Sequence, residues 1–146
     1  MQLSKNFTLD ELTHSEVALR NGWDNTPPPA VVDNLVRLAK FLEQVRKVTG
    51  PLVINSAYRC KLVNDSVGSK ETSQHRMGCA ADIKSSTYSP RDIMKMVIDS
   101  EIQYDQMILE YNSWVHISIP NNANETPRGQ TLIIDNAGIR PYATNT

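Results

Sequence analysis

A chain of 146 residues, 40% hydrophobic and 21% charged, has the size and composition of one globular domain, so we expect residues 1–146 to share one core. The net charge of −1 offers no basic surface for nucleic acid and no attraction to an anionic membrane. The amino-terminal stretch MQLSKNFTLDELTHSE lacks a secretory pattern, and no apolar run approaches the roughly 18 residues of a membrane span. We therefore expect a cytoplasmic protein without membrane insertion, and a monomer is the default expectation because the sequence does not reveal the oligomeric state.

Sequence patterns typical of helices are found in the first half of the chain and again near residue 90. Thr8 and Glu11 form a capping box that predicts a short helix. The segment PAVVDNLVRLAKFLEQVRKVTG (29–50) predicts a long helix, because its apolar residues recur at steps of three and four and Gly50 is placed to end it. The segment SPRDIMKMVIDSEI (89–102) predicts another helix capped by Ser89. CKLVNDSV is the weaker candidate for a short helix between them.

Five segments have the composition of strands. They are PLVINSAY (51–58), which we interpret as buried, CAADI (79–83), QMILE (106–110), WVHISI (114–119) and TLIID (131–135). A turn around YNS separates the third from the fourth. Helices lead and strands follow without regular alternation, which predicts an α+β fold with helices packed on a small, mainly antiparallel sheet.

The loop and strand SQHRMGCAAD (73–82) contain His75 and Asp82, two residue types that bind metals. Gly78 permits a turn or a close backbone approach between them, and the small residues after it allow tight packing. The two side chains could therefore be ligands of one ion. Spacing alone, however, favours a surface-loop histidine and an unrelated strand-end carboxylate.

His116 is the best candidate for a third ligand. Strand alternation puts Trp114, His116 and Ser118 on one face of WVHISI and three aliphatic residues on the other, so His116 would face a cleft if the aliphatic face is the core. Taken singly, an ordinary strand histidine explains it equally well. His14 follows the first short helix and is expected at the surface. Three protein ligands leave one position for water, which is the pattern of a catalytic zinc site.

Two charged residues could serve such a site. Glu110 precedes the turn that leads to His116, so a hairpin would bring it beside that strand as a general base, although a solvated strand-end carboxylate is the alternative. Arg59 follows a strand and could stabilise an oxyanion or clamp a carboxylate. From the residues alone a structural ion pair is the favoured interpretation of Arg59. The sequence contains neither HExxH nor a glycine-rich phosphate loop.

Three segments together resemble a known superfamily: SAYRC with LVN close behind, VGS…TSQHRMGCAADI, and MILEYNSWVHISI. They are similar to the zinc DD-peptidases and phage L-alanyl-D-glutamate endopeptidases (endolysins) of the lysostaphin/D-Ala-D-Ala carboxypeptidase/hedgehog superfamily. The resemblance covers about residues 52–119. It implies a compact α+β domain with one Zn²⁺ on the open face of the sheet, held by His75, Asp82 and His116.

The same resemblance implies roles for four further residues. Glu110 matches the catalytic base that acts on metal-bound water, Arg59 matches an arginine of substrate and oxyanion binding, Trp114 matches a wall of the site, and Ser73 matches a supporting serine beside the first ligand. Some members carry the acid three residues before the last ligand, but that residue is Ser113 here, so Glu110 is the base or there is none. Ala57 and Cys60 stand where members commonly have Gly and Ser.

The implied function is a zinc-dependent peptidoglycan peptidase that hydrolyses stem-peptide bonds, endolysin-like, at L-Ala–D-Glu or a D-Ala cross-link. The alternatives are a D-Ala-D-Ala carboxypeptidase and a non-catalytic, hedgehog-like zinc-binding recognition module. A cysteine peptidase using Cys79 with His116 is disfavoured, because Cys79 does not begin a helix where a thiolate is stabilised. The two cysteines, Cys60 and Cys79, are expected to be reduced, although the sequence leaves a disulfide open.

Overall fold

The computed structural model describes residues 1–142. Its helices are α1 (Leu9–Thr13), α2 (Glu16–Asn21), α3 (Pro29–Thr49), α4 (Lys61–Ser66) and α5 (Pro90–Asp99). Its strands are β1 (Leu52–Ser56), β2 (Ala80–Ser85), β3 (Gln106–Glu110), β4 (Trp114–Ser118), β5 (Gln130–Asp135) and β6 (Gly138–Pro141). Within this part of the chain, none of the helices combines the length and apolar character needed to cross a membrane.

The helix signals of the sequence are confirmed. The Thr8 hydroxyl accepts a hydrogen bond from the backbone N–H of Glu11 at the start of α1. Helix α3 buries an apolar face that includes Leu35, Leu38, Leu42 and Val45, and it ends where Gly50 adopts a φ of +77°. The period and the stop residue therefore predicted the longest helix correctly.

Helix α2 was not predicted. Ser15 caps it by accepting from the N–H of Ala18, and Gly22 ends it in the left-handed region with a φ of +66°. Ala18 is its buried residue, whereas Leu19 is 67% exposed. A six-residue segment with so small an apolar face gives no periodic signal, and only its two caps mark it.

The strands form one six-stranded sheet in the order β1-β2-β4-β3-β5-β6. The β3–β5 pair is parallel and the other four pairs are antiparallel. The α+β class with a mainly antiparallel sheet is therefore confirmed. Strand β6, which a tight turn after Asp135 adds to the edge of β5, was not predicted.

Strand β1 is not the buried strand that we expected from PLVINSAY. It lies at an edge of the sheet and pairs only with β2, and Val53 is 52% exposed. Leu52 and Ile54 face the core but are only partly buried. Apolar composition alone did not distinguish an edge strand from a central one, because edge position depends on which strands pair.

The two faces of the sheet have different environments. Five side chains of its core face are buried against α5, in a core cluster that also contains residues of α3: Ile83, Met107, Leu109, Val115 and Ile117. The alternate residues of the same strands, including Asp82, Glu110 and His116, lie on the opposite face. Antiparallel register sets Asp82 directly beside His116. Strand alternation thus separates the polar residues from the core.

Gly78 lies where the loop from α4 enters β2 and touches α3. Its φ is +73°, and a Cβ at this position would lie 2.9 Å from Val31 Cγ1, 3.1 Å from Leu35 Cγ and 3.1 Å from the Val31 carbonyl oxygen. The loop that carries His75 can therefore approach α3 this closely only with glycine at residue 78.

We expect Gly78→Ala to destabilise the fold by about 2–4 kcal/mol, since it adds a clash with α3 to the cost of a left-handed alanine. Gly68→Ala is the matched control. Gly68 has a φ of +75° and no atom within 4 Å of the point that a Cβ would occupy, so it should lose only about 1 kcal/mol. Urea denaturation of both variants measures the difference. Equal losses would contradict a role for the close approach to α3.

Asp105 is a buried carboxylate directly before β3, and it lies outside the group of polar residues formed by Asp82, Glu110 and His116. It accepts hydrogen bonds from the Arg128 side chain at 2.8–3.2 Å, from the Arg128 backbone N–H at 3.0 Å and from Gln74 Nε2 at 3.1 Å. Burial raises the pKa of Asp105, but the bonds from Arg128 outweigh burial and the pKa lies below its ordinary value. Asp105 thereby ties the loop before β5 and the residue next to His75 to the sheet.

Asp105→Asn should destabilise the protein by about 2 kcal/mol at pH 7, because the Arg128 bonds lose their charged acceptor. The folded pKa is depressed, so the contribution of Asp105 is present above the unfolded pKa of about 4 and is lost as pH falls through the folded pKa. Urea unfolding of wild type and variant at pH 7 and pH 3 should give a smaller difference at pH 3. A difference that does not depend on pH would contradict this origin.

Candidate metal centre

His75, Asp82 and His116 meet on the open face of the sheet. Asp82 of β2 and His116 of β4 are register partners, and His75 comes from the loop before β2. Nε2 of His75 lies 3.3 Å and Nδ1 of His116 lies 3.2 Å from Oδ1 of Asp82. All three side chains are buried. The structure thus brings together the three residues that the sequence suggested as ligands.

The orientation of the His75 ring is determined by its second nitrogen. Nδ1 lies 2.7 Å from the carbonyl oxygen of Ala57, and because a carbonyl only accepts, Nδ1 carries the proton. Burial lowers the pKa of His75 despite the attraction of Asp82, which favours the neutral ring with its lone pair on Nε2. That lone pair faces a carboxylate oxygen, an arrangement that a cation between them would stabilise.

The donor geometry fits a divalent metal. Zinc bonds to nitrogen and oxygen are about 2.0–2.2 Å long, so neighbouring ligands of a tetrahedral site lie roughly 3.3 Å apart. The two distances to Asp82 Oδ1 are 3.3 and 3.2 Å, and one ligand atom from each of the three residues lies within 4.8 Å of the others. A carbonyl on the far nitrogen of His75 is also the usual support of a metal-bound imidazole. The residues present therefore fit one ion.

Arg59 holds the other oxygen of Asp82. Its Nη2 lies 3.0 Å from Asp82 Oδ2, while Nε donates to Ser56 Oγ at 3.0 Å and Nη1 to Ser69 Oγ at 3.4 Å. Burial raises the pKa of Asp82, but the attraction of the two imidazoles beside it outweighs burial and keeps that pKa well below its ordinary value. The structure contains the Arg59 ion pair that the residues alone favoured. Arg59 occupies Oδ2 of Asp82, so both histidines lie next to Oδ1.

Glu110 ends β3 opposite Trp114 in the β3–β4 hairpin. Burial raises the pKa of Glu110 and the charge of Asp82 raises it further, against the opposing effects of His116 and Arg59. The indole N–H of Trp114 is buried beside Glu110 and has no hydrogen-bond partner among the described residues. A raised pKa suits a carboxylate that exchanges protons near neutral pH.

These groups line one open cavity of about 380 Å³. Its lining residues are Arg59, Val67, Ser69, Ser73, His75, Asp82, Glu110, Trp114 and His116. The structure therefore gathers all seven site residues suggested by the sequence. Ser73 contributes to the loop itself, because its hydroxyl accepts from the N–H of His75 at 3.2 Å.

Three contributors to the site were missed by sequence reasoning. Val67 and Ser69 line the cavity after the end of α4, and the VGS segment that contains them was noticed only as part of the resemblance. The carbonyl of Ala57 orients His75, and a backbone acceptor has no signal in the residue type. Only the meeting of these segments in space identifies them.

The cysteines and His14 lie outside this chemistry. Both cysteines are free, as expected. Cys79 is buried on the core face of the sheet beside Arg37, and burial raises the pKa of its thiol to about 11. A protonated thiol on the face opposite His116 argues against a cysteine peptidase. His14 is exposed and pairs with Glu16 at 2.8 Å, as expected for a surface residue.

Comparison with known proteins adds one match. The family model described as peptidase M15 matches residues 5–118, which is more than half of the chain and includes every residue that lines the cavity. No curated protein matches the chain.

Proposed function

Because the chain belongs to the peptidase M15 family of metal-dependent peptidases, we propose that it is a zinc-dependent peptidoglycan peptidase that hydrolyses stem-peptide bonds. One observation carries the proposal. A donor set of two imidazoles and one carboxylate shares a single open cavity with a second, half-buried carboxylate, Glu110. Three protein ligands with an open fourth side are typical of catalytic rather than structural zinc sites.

His75, Asp82 and His116 would hold one Zn²⁺ ion. When bound there, zinc supplies Lewis-acid polarisation of the scissile carbonyl and makes water more acidic. The protein supplies the orientation of the ligands. The Ala57 carbonyl holds His75 with Nε2 toward the cavity, and Arg59 holds Asp82 with Oδ1 toward both histidines.

Glu110 is the proposed general base and acid. In its charged form it accepts a proton from the attacking water, whose oxygen bonds to the scissile carbonyl carbon. It then delivers that proton to the leaving amine nitrogen as the C–N bond breaks. Its half-buried carboxylate and raised pKa support this exchange, since a carboxylate with an ordinary pKa is a weaker proton acceptor.

Three other side chains have proposed roles toward substrate. Arg59 uses three of its five N–H groups on Ser56, Ser69 and Asp82, which leaves two that can bind substrate or the developing oxyanion. Trp114 forms a wall of the cavity, and its indole N–H has no partner in the described part of the chain. Ser73 lines the same cavity as a proposed substrate-binding residue and also supports the loop of His75.

The bond cleaved is the finer part of the proposal. We propose an endopeptidase of the endolysin type that acts on L-Ala–D-Glu or a D-Ala cross-link, with the peptidoglycan stem peptide as the binding partner of a monomer. A D-Ala-D-Ala carboxypeptidase would use the same chemistry on a chain terminus. A recognition module would need no proton-transfer group, so Glu110 beside the donor set argues against that alternative.

Digestion of purified peptidoglycan by the zinc-loaded protein, followed by mass spectrometry, tests the proposal and identifies the bond. New amino-terminal D-Glu indicates cleavage after L-Ala, opened dimers indicate cross-link hydrolysis, and loss of one terminal D-Ala indicates a carboxypeptidase. A chelator should stop product release and added Zn²⁺ should restore it. Protein that binds zinc but releases no product from the wall would contradict the proposal and support a recognition module.

A further inference from the structure

The turn between β3 and β4 holds a tyrosine in a conformation that suits it poorly. Tyr111 and Asn112 have φ values of +52° and +53°, and the N–H of Ser113 closes the turn on the Glu110 carbonyl at 2.9 Å. Positive φ at both central residues is the requirement of a type I′ turn, where Asn and Gly are preferred. Asn112 satisfies that preference, whereas a bulky aromatic residue in the left-handed region is strained.

Core packing does not explain why tyrosine stands there. The Tyr111 side chain is 51% exposed. The residue is held by its backbone, whose N–H donates to the Ile134 carbonyl at 2.8 Å, and any residue other than proline could make that bond. The aromatic side chain is therefore not needed to anchor the turn.

The ring of Tyr111 lies beside Trp114, a residue that lines the cavity. Its ring centroid lies 6.3 Å from that of Trp114, with the planes tilted by 43°, and Trp114 lines the cavity next to Glu110. Val67 also lines the cavity from the end of α4 and is 46% exposed. Exposed apolar side chains thus accompany the charged and metal-binding groups of the site, which is what an extended peptide with small aliphatic side chains would contact.

We propose that Tyr111 is a substrate-binding residue that extends the Trp114 wall into an aromatic ledge for the stem peptide next to the scissile bond. The inference rests on the proposed function. In this arrangement Tyr111 does not contact the reacting atoms. The strained backbone of Tyr111 is retained because substrate binding requires an aromatic ring at this point of the turn.

The test separates stability from substrate binding. Tyr111→Asn puts a residue that tolerates the left-handed region into the turn and removes the ring. We expect a Tm equal to the wild-type value or higher by up to about 4 °C, since strain is relieved. For soluble muropeptides prepared from purified peptidoglycan, we expect KM to rise about fivefold to tenfold while kcat changes less than about twofold, because only binding is lost.

Two matched variants complete the experiment. Tyr111→Phe keeps the ring and should restore KM to within about twofold of wild type. Asn112→Gly changes the neighbouring turn residue without touching the ledge and should leave both kinetic constants unchanged. A KM shift that Asn112→Gly reproduces would assign the effect to the turn backbone and overturn the inference.

The failure of this inference differs from the failure of the proposed function. A wild-type protein that releases no product from muropeptides defeats the proposed function itself. If the wild type is active and Tyr111→Asn has the same KM as the wild type, only the substrate-binding role of Tyr111 is overturned. A lower Tm together with a lower kcat in Tyr111→Asn would show that the tyrosine is structural, which also overturns it.

Discussion

Glu110→Gln is expected to slow hydrolysis of peptidoglycan stem peptides by a factor of about 10² to 10⁴, the usual contribution of a positioned general acid and base. Glutamine has nearly the same shape, but its amide does not accept a proton from water near neutral pH. Glu110 lines the cavity beside the donor set and is not one of its three members, so bound zinc should be unchanged.

The measurement combines product release from purified peptidoglycan with metal content per chain. Glu71→Gln is the matched control, because Glu71 is an exposed carboxylate of the loop that carries His75 and does not line the cavity. That control should keep wild-type activity. Full activity in Glu110→Gln would refute the assigned base, whereas loss of zinc in that variant would mean that Glu110 helps to hold the metal.

Asp82→Asn should abolish zinc-induced stabilisation and lower the intrinsic stability of the fold by about 3 kcal/mol. Asp82 supplies the oxygen that faces both histidines and also pairs with Arg59, whose side chain is only 14% exposed. Removal of one partner leaves a largely buried guanidinium without its counter-charge, which typically costs about 3–5 kcal/mol. The site also loses its negatively charged donor.

Thermal unfolding with and without Zn²⁺ separates these two effects. Saturating zinc at about 100 times its Kd should stabilise the wild type by about 2.7 kcal/mol and leave Asp82→Asn unchanged. Asp105→Asn is the matched control, since it also removes a buried aspartate from an Asp–Arg pair but should retain the zinc response. An equal zinc response in Asp82→Asn and wild type would contradict the three-ligand centre.

Local signals predicted the regular elements well where the pattern was long or capped. The period of α3, the Ser89 cap of α5 and the alternation in β4 are properties of neighbouring residues, and the structure confirms each of them. The same reasoning missed α2, which has little apolar face, and β6, which follows its turn as a short exposed strand. It also assigned β1 to the interior, because local composition does not reveal how many neighbours a strand has.

The types of the site residues were readable before the fold was known. Two histidines and an aspartate in a recognisable set of motifs suggested a metal site, and alternation in WVHISI put His116 opposite the aliphatic face, and so away from the core if that face is buried. Spacing alone favoured a surface-loop histidine for His75 and an unrelated strand-end carboxylate for Asp82, and the structure corrects this, because both side chains are buried in one cluster.

By itself the sequence determined the donor types, the helix and strand periods and the glycine that the loop before β2 needs. Only the tertiary structure decided that Asp82 Oδ1 meets both histidines while Arg59 takes Oδ2, that Ala57 orients His75, and that Glu110 faces the same cavity. The reason is physical. Metal ligands must come within a few ångströms of each other, and that proximity is set by strand register and by the packing of the loop on α3, not by spacing along the chain.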